Sequence, residues 1–232
     1  IIVLTVLLCL LLRMISRAPL DGHDILGYGV MGKIFFSERS IHPIWHSVHA
    51  PTGFMVQTLH APSFPLLLTW EKIVTGMFHG NSDLYFRSMS AWYALLIVFL
   101  QFYWLSKVSK YLAALGVIAL LSSLAFLLML VSYHLDSFRI FLLMGSWIWL
   151  AYAVRNNDAQ SLMLFGVFSG LAGFAHSIGM IIAGINCLAL FLFLKDSAIN
   201  KLWKTVTALG LIMVCGGVHY VIDTFWGRGW IW

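Results

Sequence analysis

Seven apolar runs of 16 to 21 residues, at about 1–16, 88–106, 111–131, 139–154, 159–176, 178–194 and 205–222, fill more than half of this 232-residue chain and leave few folds open to it. Each is near the ~20 residues that an α-helix needs to cross roughly 30 Å of hydrocarbon. The runs are continuous, without the alternating segments of about ten residues that build a transmembrane barrel, so helices are expected. With 61% of residues hydrophobic and only 10% charged, and a mean hydropathy of +0.90, no soluble domain fits. The expected architecture is an all-α polytopic membrane protein. It has a first transmembrane helix at 1–16, a long extracytoplasmic loop at 17–87 carrying interfacial helices, a six-helix bundle at 88–222 and an extracytoplasmic tail at 223–232.

Basic residues in short loops orient these spans. Lys107 and Lys110, then Arg155, then Lys195, Lys201 and Lys204 occupy alternate connections, which are therefore expected on the cytoplasmic side. The long first loop, the short turn from Tyr133 to Arg139, the break at His176–Ser177 and the tail after Asp223 then share the outer side. All nine histidines and seven of the nine acids fall on or near that face, the exceptions being Asp158 and Asp196. Function is expected outside. The net charge of +5 is spread over loop ends, where lysines and arginines meet lipid headgroups, so membrane lipids rather than nucleic acid are the expected partners.

Cys9, Cys187 and Cys215 lie within apolar runs at no paired spacing and read as small buried hydrophobes. No Walker loop, dinucleotide fingerprint or internal repeat is present. The first residue, Ile1, already lies in an apolar run, and the basic n-region of a cleavable signal is not visible. Either processing or an incomplete N-terminus is expected to account for that start, and a larger parent protein stays open.

The long loop opens on Asp21, Gly22, His23 and Asp24. Two carboxylates and an imidazole cost several kcal/mol if drawn into hydrocarbon, so their clustering at one membrane face marks a candidate site, although either acid could simply cap a following helix. Ile25 to Phe36 suits a short interfacial helix from which Lys33 reaches headgroups. After a histidine-rich stretch, Pro62 and Pro65 admit a second helix only from about residue 62, running to Met77.

Taken in order, these segments resemble the GT-C membrane glycosyltransferases, the superfamily of protein O-mannosyltransferases and aminoarabinose transferases. Asp21 or Asp24 with Tyr28 stands where that family carries a catalytic acid and a following tyrosine. His60-Ala61-Pro62-Ser63-Phe64-Pro65 is similar to its His-Pro-Pro-x-x-Pro segment, and Ser132-Tyr133-His134-Leu135-Asp136 to its acidic second-loop motif. Gly166 to His176 is similar to a Gly-x-x-x-Gly-Leu-Ala-x-x-x-Lys stretch, with His176 in the place of lysine. Two departures stand beside the likeness: Gly22-His23 separates acids that are adjacent in the family, and seven spans fall short of its eleven or more.

The resemblance implies inverting transfer of a sugar from a polyprenyl-phosphate donor at the outer face of a bacterial inner membrane. Asp21 or Asp24 would take the acceptor's proton. Tyr28, Lys33, His60, Arg139 and His176 would bind substrate, the cationic and hydrogen-bonding groups steadying the leaving phosphate. Asp136 would complete the site, orient the acceptor or share an optional divalent cation, magnesium or manganese, with a first-loop acid.

A second class of reading treats the chain as a non-catalytic or metal- or haem-associated subunit of a larger membrane complex. His42, His46 and His49 stand at i, i+4 and i+7 and would share one face of a helix, although Pro43 interrupts it. A retinal protein is excluded because the run at 205–222 has no lysine for a Schiff base. A transporter ranks lower still, since charges at mid-membrane depth are nearly absent.

Overall fold

A computed structural model describes residues 29–39, 63–79, 84–131 and 135–225. Every regular element among them is helical. Among the described residues three stretches, Ser88–Ser106, Asp136–Asn156 and Ala198–Val221, are long and apolar enough to cross a membrane. The chain divides into two compact units, one of Ile1–Thr58 with Phe64–Phe138 and one of Leu59–Ser63 with Arg139–Trp232.

In the first unit α1 (Val30–Glu38) and α2 (Ser63–His79) lie within the stretch expected to carry interfacial helices, and α3 is Leu84–Ser106. The apolar run at 111–131 differs from expectation, because it forms two helices, α4 (Lys110–Leu121) and α5 (Leu124–Val131). Two adjacent serines make the break. The Ser122 hydroxyl donates back to the Ile118 carbonyl at 2.7 Å, closing α4, and the Ser123 oxygen accepts the Phe126 amide at 3.5 Å, opening α5. Serine side chains compete in this way with the helix ladder. Both helices pack on α3, where Gln101 Nε2 donates to the Gly116 carbonyl at 3.0 Å. Their other faces, with Leu115, Ile118 and Leu124 at 60–70% exposure, present an apolar surface suited to lipid.

Helix α6 (Leu135–Asn156) begins in the first unit and continues into the second, which adds α7 (Ala159–Ala175), α8 (Ser177–Phe193), α9 (Ala198–Ile212), a π-turn (Met213–Gly217) and α10 (Val218–Phe225). Phe165, Ala183, Leu190, Ala208 and Ile212 form its buried core. A polar layer crosses three helices within this apolar unit. Ser146 Oγ lies 2.6 Å from Ser169 Oγ and accepts from Asn186 Nδ2 at 3.2 Å. Buried hydroxyl and amide groups of this kind pin helices together where apolar packing alone distinguishes registers poorly.

At the opposite end from the His176 break, the connections of this unit are tied by charge. Asp158 caps α7 through the Ser161 amide at 2.8 Å and its hydroxyl at 2.7 Å. Asn157, with a left-handed φ of 56°, accepts from Lys204 Nζ at 2.6 Å, and Lys204 also binds Asp196 at 2.7 Å. Lys204 is thus spent on a helix connection, where the sequence suggested a headgroup-facing cation.

Acid should loosen this knot. The Lys204 ammonium first, then the Asn200 amide and the Ser197 N–H, hold the Asp196 carboxyl well below the usual carboxylate range. In the unfolded chain the same group titrates near pH ~4, so its contribution to stability is complete above that value and is lost as the pH falls toward the folded pKa. The melting temperature of detergent-solubilised protein is expected to drop between about pH 5 and pH 3, and to drop less in Asp196→Asn. An equal drop in both proteins would refute the assignment.

Candidate functional site

Of the residues singled out by sequence, Asp21, Asp24, Tyr28, His42, His46, His49 and His60 lie outside the described residues. Lys33, Asp136, Arg139 and His176 are described.

In the first unit the start of α2 gathers its neighbours. Gly32 of α1 lies so close that a Cβ there would stand 3.0 Å from Leu68 Cβ and 3.1 Å from the Pro65 carbonyl. The Thr69 hydroxyl shares its proton between the carbonyls of Gly32 at 3.1 Å and Pro65 at 2.8 Å. This contact places exposed Lys33 beside α2. From the other direction the Phe138 ring stacks on Phe64 at 5.8 Å and meets Tyr93 edge-on at 4.9 Å. Such ring pairs add about 0.5–1.5 kcal/mol beyond the area they bury. Asp136, two residues before Phe138, is therefore anchored near the same end of α2 that α1 packs against.

Asp136 and Arg139 sit at the start of α6 itself, whereas the sequence placed both in a turn running from Tyr133 to Arg139. The carboxylate at the first turn meets the positive end of the helix dipole. Arg139 follows three residues later, which is the spacing of neighbours on one helix face.

His176 is a cap. Its Nδ1 accepts the Ile178 amide at 3.2 Å, and Ser177 Oγ stands 3.5 Å from the same nitrogen. An Nδ1 that accepts leaves the proton of the neutral ring on Nε2, so that nitrogen can only donate. The corner it occupies is tight. A Cβ on Gly179 would lie 2.1 Å from the Ala172 carbonyl oxygen, and one on Gly173 would lie 2.2 Å from Met180 Sδ.

Two charged groups of the site region were not picked out by sequence. Lys72 of α2 is only 8% exposed, with its ammonium 5.9 Å from the centre of the Phe36 ring, and both carboxylate oxygens of adjacent Glu71 are buried. Their signal was available: a Glu-Lys pair set directly after an apolar stretch, where buried charge is costly and tends to mark function. Among the described residues no three His, Cys, Asp or Glu side chains are grouped to hold a metal ion.

Compared with protein-family models, with curated proteins and with solved structures, the chain finds no match.

Proposed function

We propose that this chain is a GT-C-like membrane glycosyltransferase that moves a sugar from a polyprenyl-phosphate donor to an acceptor at the extracytoplasmic face. On this reading the apolar runs form seven spans in a bacterial inner membrane, with membrane lipids and further membrane subunits as partners. The observation that carries it is the placement of Asp136 and Arg139, three residues apart, at the start of a helix long enough to cross a membrane, with Phe138 between them held by Phe64 and Tyr93. Charged groups are expensive at such a place and are retained where a substrate needs them.

The reaction requires few parts. A carboxylate, Asp21 or Asp24, accepts the proton of the acceptor hydroxyl while that oxygen bonds to the anomeric carbon. The carbon–oxygen bond to phosphate breaks, and its electron pair leaves on the lipid phosphate. His60, Arg139, Lys33 or the Nε2–H of His176 supplies charge or a hydrogen bond to that phosphate, Tyr28 packs against the sugar, and Asp136 orients the acceptor.

The test is transfer by the full chain in liposomes supplied with a polyprenyl-phosphate sugar labelled in the sugar and with a panel of lipid and peptide acceptors. The expected result is release of polyprenyl phosphate with the label moving to one acceptor class. A donor left intact across the panel would reject the reading and favour a structural subunit.

A further inference from the structure

We propose that Tyr220 is a positioning residue for His176, and that the π-turn at Met213–Gly217 exists to keep it on the face where it can act. What His176 is positioned for rests on the transfer reading above; the geometry itself does not.

Helix α7 ends at Ala175, so the carbonyls of its last turn lack the amides that a continuing helix would provide. The His176 amide satisfies Ala172 at 3.2 Å. The next carbonyl, Gly173, accepts the Tyr220 hydroxyl at 2.7 Å in a buried bond spanning 47 residues. The neighbouring pair repeats the contact through rings, His219 meeting Phe174 edge-on at 5.8 Å. Residues 219 and 220 thus clamp residues 173 and 174, one residue short of the histidine whose Nδ1 opens α8. Loss of the clamp would leave the end of α7 free to fray, and His176 would lose its fixed ring orientation.

The π-turn makes this possible through register. Ala208 and Ile212 are buried in the core of the unit, and their backbone faces α7, because a Cβ on Gly166 would stand 3.4 Å from the Ala208 carbonyl and one on Gly170 3.0 Å from that of Ile212. Twelve residues separate Ala208 from Tyr220, which in a plain α-helix is three turns and about 120° too many. One surplus residue taken up in a π-turn removes about 100° of that rotation and brings Tyr220 back to the α7 side. Gly216 allows the wide turn to lie against α7: a Cβ there would be 2.0 Å from the Gly170 carbonyl oxygen.

The experiment labels the histidines of the full chain with ¹⁵N in nanodiscs, assigns His176 by His176→Gln, and reads its tautomer at a pH where the ring is neutral. The wild type is expected to give a single Nε2–H form. Tyr220→Phe, which removes only the hydroxyl, is expected to mix the two tautomers and to lower kcat for sugar transfer by about tenfold at unchanged KM. Deleting Val214 removes the surplus residue, keeps Tyr220 on the same face and should preserve the single form, whereas inserting an alanine after Val214 rotates Tyr220 away and should reproduce the mixture. A single Nε2–H form retained in Tyr220→Phe overturns the proposal. If Tyr220→Phe fails to fold, identical tautomers in the deletion and insertion variants overturn it instead. Because the tautomer is read without any substrate, a wild type that transfers no sugar would reject the transfer reading and leave this one standing.

Discussion

On the transfer reading, Asp136→Asn is expected to reduce sugar transfer by roughly 10²-fold, the scale on which an acceptor misplaced by about 1 Å loses rate. The exchange keeps size and helix propensity nearly constant and removes one negative charge from the start of α6. Loss of an acid at a helix N-terminus also costs a few tenths of a kcal/mol in stability, far too little to account for such a fall. Rate and melting temperature measured on the same preparation separate the two effects. A variant that melts like the wild type and transfers sugar at more than about a tenth of its rate would remove Asp136 from the chemistry.

The largest stability effects are expected at two glycines. Gly216→Ala places a Cβ 2.0 Å from the Gly170 carbonyl oxygen, and Gly179→Ala places one 2.1 Å from that of Ala172. Both obstacles are backbone, so a helix rather than a side chain has to move. Overpacking of this kind costs typically 1–3 kcal/mol and can exceed that where the backbone is the obstacle. Gly184 and Gly210 are the controls, since a Cβ at either meets nothing within 4 Å. Alanine there is expected to be neutral or to stabilise by up to ~1 kcal/mol through helix propensity. Unfolding in graded denaturing detergent ranks the four variants, and similar midpoints for Gly216→Ala and Gly210→Ala would refute the close approach of the π-turn to α7.

What the sequence made legible follows from which physical signals are local. Helix α7 ends within a residue of the expected boundary and α8 begins within one, because apolar length and a capping residue are both written in adjacent letters. The Ser122–Ser123 break was hidden, since two serines in a run of about twenty apolar residues are equally compatible with an unbroken span. The π-turn was hidden for another reason: its Gly216 matters through its close approach to Gly170, 46 residues earlier in the chain. Lys204 read as a topological charge because its partners, Asp196 and Asn157, are brought to it by folding.

The candidate site divides in the same way. Lys33, Asp136, Arg139 and His176 were singled out by residue type and order. The groups that hold them, Phe138 between Phe64 and Tyr93 and Tyr220 on Gly173, are ordinary aromatics in a chain with many. The buried Glu71–Lys72 pair could have been suspected from charge alone, but its depth depends on how α1 packs over α2.

Helices α7 and α8 have 17 residues each, which at 1.5 Å per residue gives about 26 Å of helix against a hydrocarbon core of about 30 Å. On the seven-span reading, the corner they share at His176 would be drawn below the level of the headgroups, or the surrounding lipid would thin to meet it. A long lipid-linked donor would then present its phosphate in a local dimple of the bilayer. Acyl-chain length would become a property of the substrate site, and the same chain would work at different rates in membranes of different thickness.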